Sequence, residues 1–363
     1  MEQSTNILSP LRQWNELIRI KKCRTTTPRP AIPVTSEVRR HASLHDLPIE
    51  LPYLSDQSLA GSRHAADTVL YLGYGSNLSA ETFQGKRNIT PLSQINVVVP
   101  ILSLNFDLPG IPYSEPCFAN TGYRDVPTHG DVESQAGAED YHKDRWFKGL
   151  VGVVYEVTKE DLVHIIATEG GGSGYKDVLV DCFALSGDPL EEIPFSPSGA
   201  PFRAHTLLAP STVSHPHHSY AQPSPRYLKL MIDGAAEHGL PYEYQEFLQQ
   251  IRTYHMTTVK QRLGQVIFLS LWSPLLMLVI GGGAAMFLRP DGTYPGWFAR
   301  LIRAMFTAVW ASYDPLFKVT FGDGERTIGD KSAEDGRPDD EKTPLIPSES
   351  TGGRGPGDSA NLV

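Results

Sequence analysis

The chain has 363 residues, 20% of them charged and 40% hydrophobic, with a net charge of −9. That length and composition accommodate one enzymatic domain of about 180 residues with a sizeable core, plus added segments, and an acidic balance with no clustered basic face excludes nucleic acid as the main partner. Three cysteines at unrelated spacings, Cys23, Cys117 and Cys182, imply neither a disulfide framework nor a zinc site and fit a reducing compartment.

Residues 1–66 lack a sustained apolar period and contain Thr25-Thr26-Thr27-Pro28-Arg29-Pro30 and Pro33. They are read as a disordered N-terminal region carrying a short helix over Leu11–Ile20. No apolar h-region opens the chain, and acids at Glu2, Glu16 and Glu37 argue against a mitochondrial presequence. The folded domain is predicted over residues 67–260. Its first strand, Thr68–Leu72, runs into Tyr71-Leu72-Gly73-Tyr74-Gly75-Ser76-Asn77-Leu78, a loop built to hold an anion. Glycines 73 and 75 allow positive φ and close approach to a ligand, Ser76 and Asn77 bond back to nearby amides, and successive N–H groups form a nest.

A strand is predicted over Ile95–Phe106 and another over Gly149–Val157, separated by a long loop at 107–148 that is rich in Pro, Gly and acid. Thr158-Lys159-Glu160-Asp161 reads as an N-cap with an acidic first turn, opening a helix with the apolar stripe Leu162, Ile165 and Ile166. That helix ends on Glu169, directly before the glycine run Gly170-Gly171-Gly172-Ser173-Gly174, and Tyr175–Leu185 reads as a strand. His215, His217 and His218 are interrupted by Pro216, so they are taken as a solvated loop and not as metal ligands. Pro223-Ser224-Pro225-Arg226-Tyr227 and then Gly234-Ala235-Ala236-Glu237-His238-Gly239-Leu240-Pro241-Tyr242-Glu243-Tyr244-Gln245-Glu246 give a turn and two helices.

From Gly264 to Leu288 no residue is charged, and 25 residues exceed the roughly 20 needed to span a hydrocarbon core. Pro274 and the Gly281–Gly283 triplet are tolerated in such a helix. Residues 264–288 are therefore taken as a transmembrane helix that anchors the chain. Over 297–317, Phe298, Leu301, Ile302, Met305, Phe306, Val309, Trp310, Tyr313 and Phe317 recur at helical spacing with Arg300 and Arg303 on the other side, which predicts an amphipathic interfacial helix or a second span. Basic residues on the two sides of the main span are balanced and leave orientation open. Residues 322–363 are read as a disordered acidic tail, in which Glu341-Lys342-Thr343-Pro344-Leu345-Ile346 fits an acidic dileucine pattern.

Three blocks in this order, the Tyr-Gly-Ser-Asn-Leu loop at 74–78, Glu169 followed by Gly170, and the Pro-Ser-Pro-Arg-Tyr segment leading to Gly-Leu-Pro-Tyr-Glu-Tyr-Gln, resemble the γ-glutamylcyclotransferase family over roughly residues 68–252. The resemblance implies a small mixed β-barrel with flanking helices, where the strands and helices alone reach only α+β. It implies a cofactor-free, metal-free lyase that closes a γ-glutamyl group to 5-oxoproline, with Glu169 as the catalytic base. Tyr71, Leu72, Gly73, Tyr74, Gly75, Ser76 and Asn77, with Tyr175 and Tyr227, would bind a small-molecule γ-glutamyl substrate. The long 107–148 stretch and the glycine triplet after Glu169 depart from a compact member and bear on substrate identity. Members also act in fungal pathways that strip glutathione adducts from secondary metabolites, a role that an anchored form would suit.

The chemistry asks for little machinery. Nucleophile and electrophile share one molecule, so a held near-attack conformer supplies much of the acceleration, and the protonated α-amine needs a positioned base. Burial among Ile165, Ile166 and Val178 is the environment expected to make Glu169 basic enough, with amides around Gly75 and Ser76 holding the α-carboxylate or the developing oxyanion. Ser76 has no His or Asp at an informative spacing to make it a nucleophile. The competing reading is a membrane-anchored binding or trafficking adaptor that keeps the fold without catalysis. The enzyme reading places the catalytic domain in the cytosol, since the span emerges only after that domain has been synthesised.

Overall fold

The computed structural model describes residues 31–48, 68–124, 146–169, 176–209, 221–289 and 293–329. The described residues include seven strands: β1 Thr68–Gly73, β2 Ser93–Val99, β3 Leu102–Ile111, β4 Glu115–Tyr123, β5 Leu150–Thr158, β6 Lys176–Ala184 and β7 Phe202–Leu208. Five of them close into a barrel in the order β1-β5-β2-β6-β7, sealed where β1 meets β7 in parallel at Tyr71 and His205. β1 and β5 are nearly continuous apolar runs because both their faces are buried. Their close approach depends on glycine: a Cβ at Gly152 would lie 2.6 Å from the Gly73 carbonyl oxygen.

The predicted strand Ile95–Phe106 is two strands, since Pro100 and Ile101 turn the chain between β2 and β3. The predicted loop that follows, 107–148, begins as a β-hairpin that reaches Tyr123, and its residues 125–145 lie outside the described residues. β3 and β4 pair antiparallel with an irregularity between Asn105 and Leu108, and Tyr113 stands between the two strands at φ 62°.

Helix α1, Glu37–Ala42, lies in the region expected to be disordered. Arg39 is buried beneath it, with Nη2 donating to Thr68 O at 3.0 Å and Nε 3.5 Å from Glu156 Oε1, and Val34 bridges to Gln94. A guanidinium with paired partners ties this segment to the barrel, which composition alone does not reveal. The predicted Leu11–Ile20 helix lies outside the described residues. α2, Lys159–Thr168, starts as predicted at Thr158, whose side chain accepts from Asp161 N at 3.0 Å. α3, Pro225–Glu237, is capped by Ser224 and carries Pro225 in its first turn, followed by α4, Tyr242–Gln250.

α5, Val259–Leu276, opens with a capping box between Thr258 and Gln261 and stays helical to Phe287. Its stretch Val259–Gly282, 24 residues whose most apolar 18 have a mean hydropathy of 2.0, is long and apolar enough to cross a membrane. α6, Gly296–Ser312, continues helically to Phe321 and packs against α5 through a second core of Tyr113, Phe268, Val309, Trp310, Tyr313 and Phe317. Residues 322–329, expected to begin the disordered tail, run back along the domain, with Gln222 N donating to Glu325 O and Tyr113 N to Gly324 O. The rest of that tail, with its dileucine pattern, lies outside the described residues.

Candidate active site

The loop after β1 folds as a tight helical turn over Ser76–Leu78, closed by Leu78 N donating to Gly75 O at 3.0 Å. Helix α3 lies so close to it that a Cβ at Gly234 would sit 2.6 Å from Ser79 N. Two side chains grip the loop's carbonyls: Tyr155 Oη donates to Asn77 O at 3.1 Å, and His238 Nε2 lies 3.0 Å from Leu78 O and 2.8 Å from Tyr155 Oη. Burial pulls the His238 imidazole below its ordinary value, so it is neutral, with Nε2–H as the donor.

Gly73 and Gly75 do not use positive φ; the described glycines that do are Gly149, Gly239, Gly322 and Gly329. Gly75, at φ −102°, is glycine for space, since a Cβ there would lie 3.0 Å from Tyr227 Oη. Gly73 is hemmed in likewise by Tyr155 and Asn77.

A cavity of about 330 Å³ opens beside this loop. Tyr71, Tyr74, Gly75, Ser76 and Asn77 line it together with Glu169 and Tyr227, so segments nearly 160 positions apart share one wall. Leu108, Phe118 and Ala119 of the β3–β4 hairpin supply an apolar side, and the exposed Lys86 and Arg226 stand at the solvent end. Leu72 and Gly73 do not reach the cavity: Leu72 is fully buried in the barrel core and Gly73 packs against β5. Tyr175 and the three loop histidines lie outside the described residues.

Glu169 follows the last turn of α2, its N–H bonded to Ile165 O. Among the described residues no apolar pocket of the expected kind surrounds it: Ile165 and Ile166 turn into the main core, and the carboxylate meets a cation. Arg87 Nη2 lies 2.5 Å from Glu169 Oε1, and Nη1 of the same guanidinium donates to Thr168 Oγ1. Asn77 Nδ2 also donates to Oε1, at 3.2 Å, while serving Tyr71 Oη at 2.9 Å. Oε2 takes no bond among the described residues, which makes it the acceptor available to a ligand. Sequence reasoning missed Arg87, which lies nine positions past the loop in a segment with no period or motif of its own.

Tyr227 accepts at its hydroxyl from Ala119 N, at 3.1 Å, and from Ser76 N. Both lone pairs are thus engaged by amides, and the O–H hydrogen is left to donate. Burial pushes the Tyr227 and Tyr71 hydroxyls well above their ordinary values, with the Glu169 charge adding to it, so both stay protonated. The Ser76 amide, expected to face the ligand, lies beside the Tyr227 hydroxyl. The site offers one free carboxylate oxygen and protonated phenols around a partly apolar cavity, a combination suited to moving protons on a small zwitterionic ligand.

Residues 258–318 match the family model of the AclK C-terminal domain. The chain is 33% identical over 266 residues to the gamma-glutamyl cyclotransferase aclK of Aspergillus oryzae, covering 71% of this chain and 90% of that protein. It is 28% identical over 262 residues to the gamma-glutamyl cyclotransferase gliK of Aspergillus fumigatus, covering 71% and 89%. A solved gamma-glutamyl cyclotransferase structure aligns over 53% of this chain and 92% of its own at 23% identity and a TM-score of 0.37. With a third of the aligned residues identical to a curated enzyme along nine-tenths of that enzyme's length, the chain belongs to the γ-glutamyl cyclotransferase family.

Proposed function

We propose that this enzyme cyclises the γ-glutamyl group of γ-glutamyl peptides or glutathione conjugates to 5-oxoproline, with Glu169 as the proton carrier. The carrying observation is the cavity-lining Glu169 carboxylate itself, fixed through Oε1 by Arg87 and Asn77 while Oε2 takes no bond among the described residues. Oε2 takes a proton from the α-ammonium, and the freed nitrogen attacks the γ-carbonyl carbon, forming the ring C–N bond. The original amide C–N bond then breaks. The attacking nitrogen sheds two protons in all and the departing nitrogen gains two, so Glu169 carries them across and ends as it began. Tyr227 O–H is the donor for the oxygen that becomes negative, an electrostatic contribution of a few kcal/mol in sites of this kind.

The reading extends to location: the apolar helix Val259–Gly282 holds the chain in a membrane, with the catalytic domain in the cytosol where glutathione conjugates form. A cavity of about 330 Å³ with an open, cationic end suits a γ-glutamyl group held inside and a larger remainder outside. The test is release of 5-oxoproline by the full-length chain in detergent, from a panel of γ-glutamyl amino acids and glutathione conjugates. Residues 60–260 alone are a poor substitute, because truncation strips Tyr113 and Gln222 of their C-terminal partners. Absence of 5-oxoproline with every substrate in the panel rejects the assignment.

A further inference from the structure

Helices α5 and α6 run antiparallel along their whole length. Gly264 faces Phe321 at the end near the catalytic domain, Trp272 Nε1 donates to Ser312 Oγ at 3.1 Å midway, and Gly283 faces the Phe298 ring at the far end. Neither glycine has room for a Cβ, so small residues set the helix separation, as they do between helices in lipid. On α5 only a narrow stripe is buried, chiefly Gln261, Gly264, Phe268, Leu276 and Gly283. The remaining sides are exposed and apolar: Leu271 is 52% and Leu278 71% exposed.

We propose that residues 258–321 enter the bilayer as one helical hairpin, and that the chain beyond 329 emerges on the same face as the catalytic domain. This rests on the membrane reading above and fixes its topology. The segment after α6 is bonded to the first turn of α5 and the segment before it: Gln261 Nε2 donates to Asp323 O at 2.7 Å, His255 N to Thr327 Oγ1 at 2.9 Å, and Gln222 N to Glu325 O at 2.9 Å. A chain whose entry and exit are joined crosses an even number of times. Val259–Gly282 measures about 36 Å at 1.5 Å per residue, enough for a hydrocarbon core of about 30 Å. Arg300 and Arg303 lie within two turns of the start of α6, beside the exposed Trp297. Long basic side chains and an indole at that depth reach the opposite headgroup layer. The occupant is lipid because exposure runs around α5: a second protein copy would cover one more stripe, whereas a bilayer wets every side.

The experiment uses the full-length chain in sealed vesicles derived from the endoplasmic reticulum. It carries an epitope after Val363 and an Asn-Ser-Thr glycosylation acceptor, spaced by Gly and Ser, inserted between positions 291 and 292. The expected result is retention in the membrane pellet after alkaline carbonate, loss of both the epitope and the catalytic domain to external protease, and a mass shift from glycosylation of the inserted acceptor. A protected epitope with a digested catalytic domain means a single crossing and overturns the hairpin topology. An unglycosylated acceptor that external protease cleaves means a hairpin lying on one surface and also overturns it. Release by carbonate, as a monomer or as a dimer of this chain, rejects the membrane reading itself and is distinguishable from both.

Discussion

Arg87 Nη2 lies 2.5 Å from Glu169 Oε1 and Nη1 of the same group bonds Thr168, so one guanidinium fixes both the Glu169 carboxylate and the end of the helix that carries it. The fork holds Oε1 with one arm and Thr168 with the other, and Oε2 takes no bond among the described residues. Planar two-point contact of this kind gives geometric precision that a point charge does not.

Glu169→Gln is expected to lower kcat by 10²-fold or more while leaving thermal stability and the binding of a non-cyclisable γ-glutamyl analogue nearly intact. The amide matches the carboxylate in shape but cannot accept the proton. Steady-state kinetics with analogue binding checks this, and a kcat within about threefold of the parent removes Glu169 from the role.

Arg87→Lys separates positioning from charge. Lysine keeps the positive charge but cannot bond Thr168 and Glu169 at once, so kcat should fall about 10- to 100-fold, the cost of an ångström-scale misplacement, with KM little changed. Parent-like kcat in a variant that melts like the parent would show the fork to be structural only.

Much of this site was legible in the chain: the Gly-Ser-Asn turn after an apolar strand, the carboxylate before a glycine run, and Ser224 ahead of Pro225 as a helix start all occupy the places their local chemistry demands. Arg87 and His238 were not legible, because each acts through a contact with a residue far away in sequence, Glu169 for one and Leu78 for the other. The role of the glycines was misread for a related reason. Positive φ is a local property, whereas the demand on Gly75 comes from Tyr227, and that on Gly152 from β1. The ordered stretches 31–48 and 322–329 were hidden by composition: polar segments fold when a buried partner, Thr68 O for Arg39 or Gln222 N for Glu325, takes their bonds.

Gly75→Val is expected to abolish measurable turnover, and Gly75→Ala to raise KM severalfold, because a Cβ at 75 would lie 3.0 Å from Tyr227 Oη. The clash names its partner, so the two positions should be non-additive. Tyr227→Phe leaves the Ala119 and Ser76 amides unpaired, which costs about 1–3 kcal/mol for a buried donor. Adding Gly75→Ala to that variant should then raise KM less than it does in the parent. Fully additive effects in the double-mutant cycle would mean that the Tyr227 hydroxyl is not what confines residue 75.

Two buried groups give stability opposing pH dependences. His238 is pulled below its ordinary value by burial, with the Leu78 carbonyl opposing. The unfolded chain therefore takes up a proton near pH 6.5 that the fold refuses, and this contribution is complete above about pH 6.5 and lost as pH falls below it. Glu325 is pushed up to about 7 by burial, with Lys318 opposing at 2.9 Å. The fold keeps a proton there that the unfolded chain releases near pH 4.3, so this contribution is complete below about pH 4.3 and lost as pH rises through 7. In the parent the two slopes oppose each other and partly cancel below about pH 6.5. His238→Gln keeps a donor for Leu78 O without titrating, and should leave a stability that falls as pH rises from 5 to 7.5. Glu325→Gln should leave one that rises from pH 5 and levels off above about 6.5. Urea midpoints of the full-length chain in detergent across pH 5 to 8 check both variants. A parent and a His238→Gln variant with the same slope below pH 6.5 would remove the histidine from the account, and a Glu325→Gln variant that still loses stability through pH 7 would remove the glutamate.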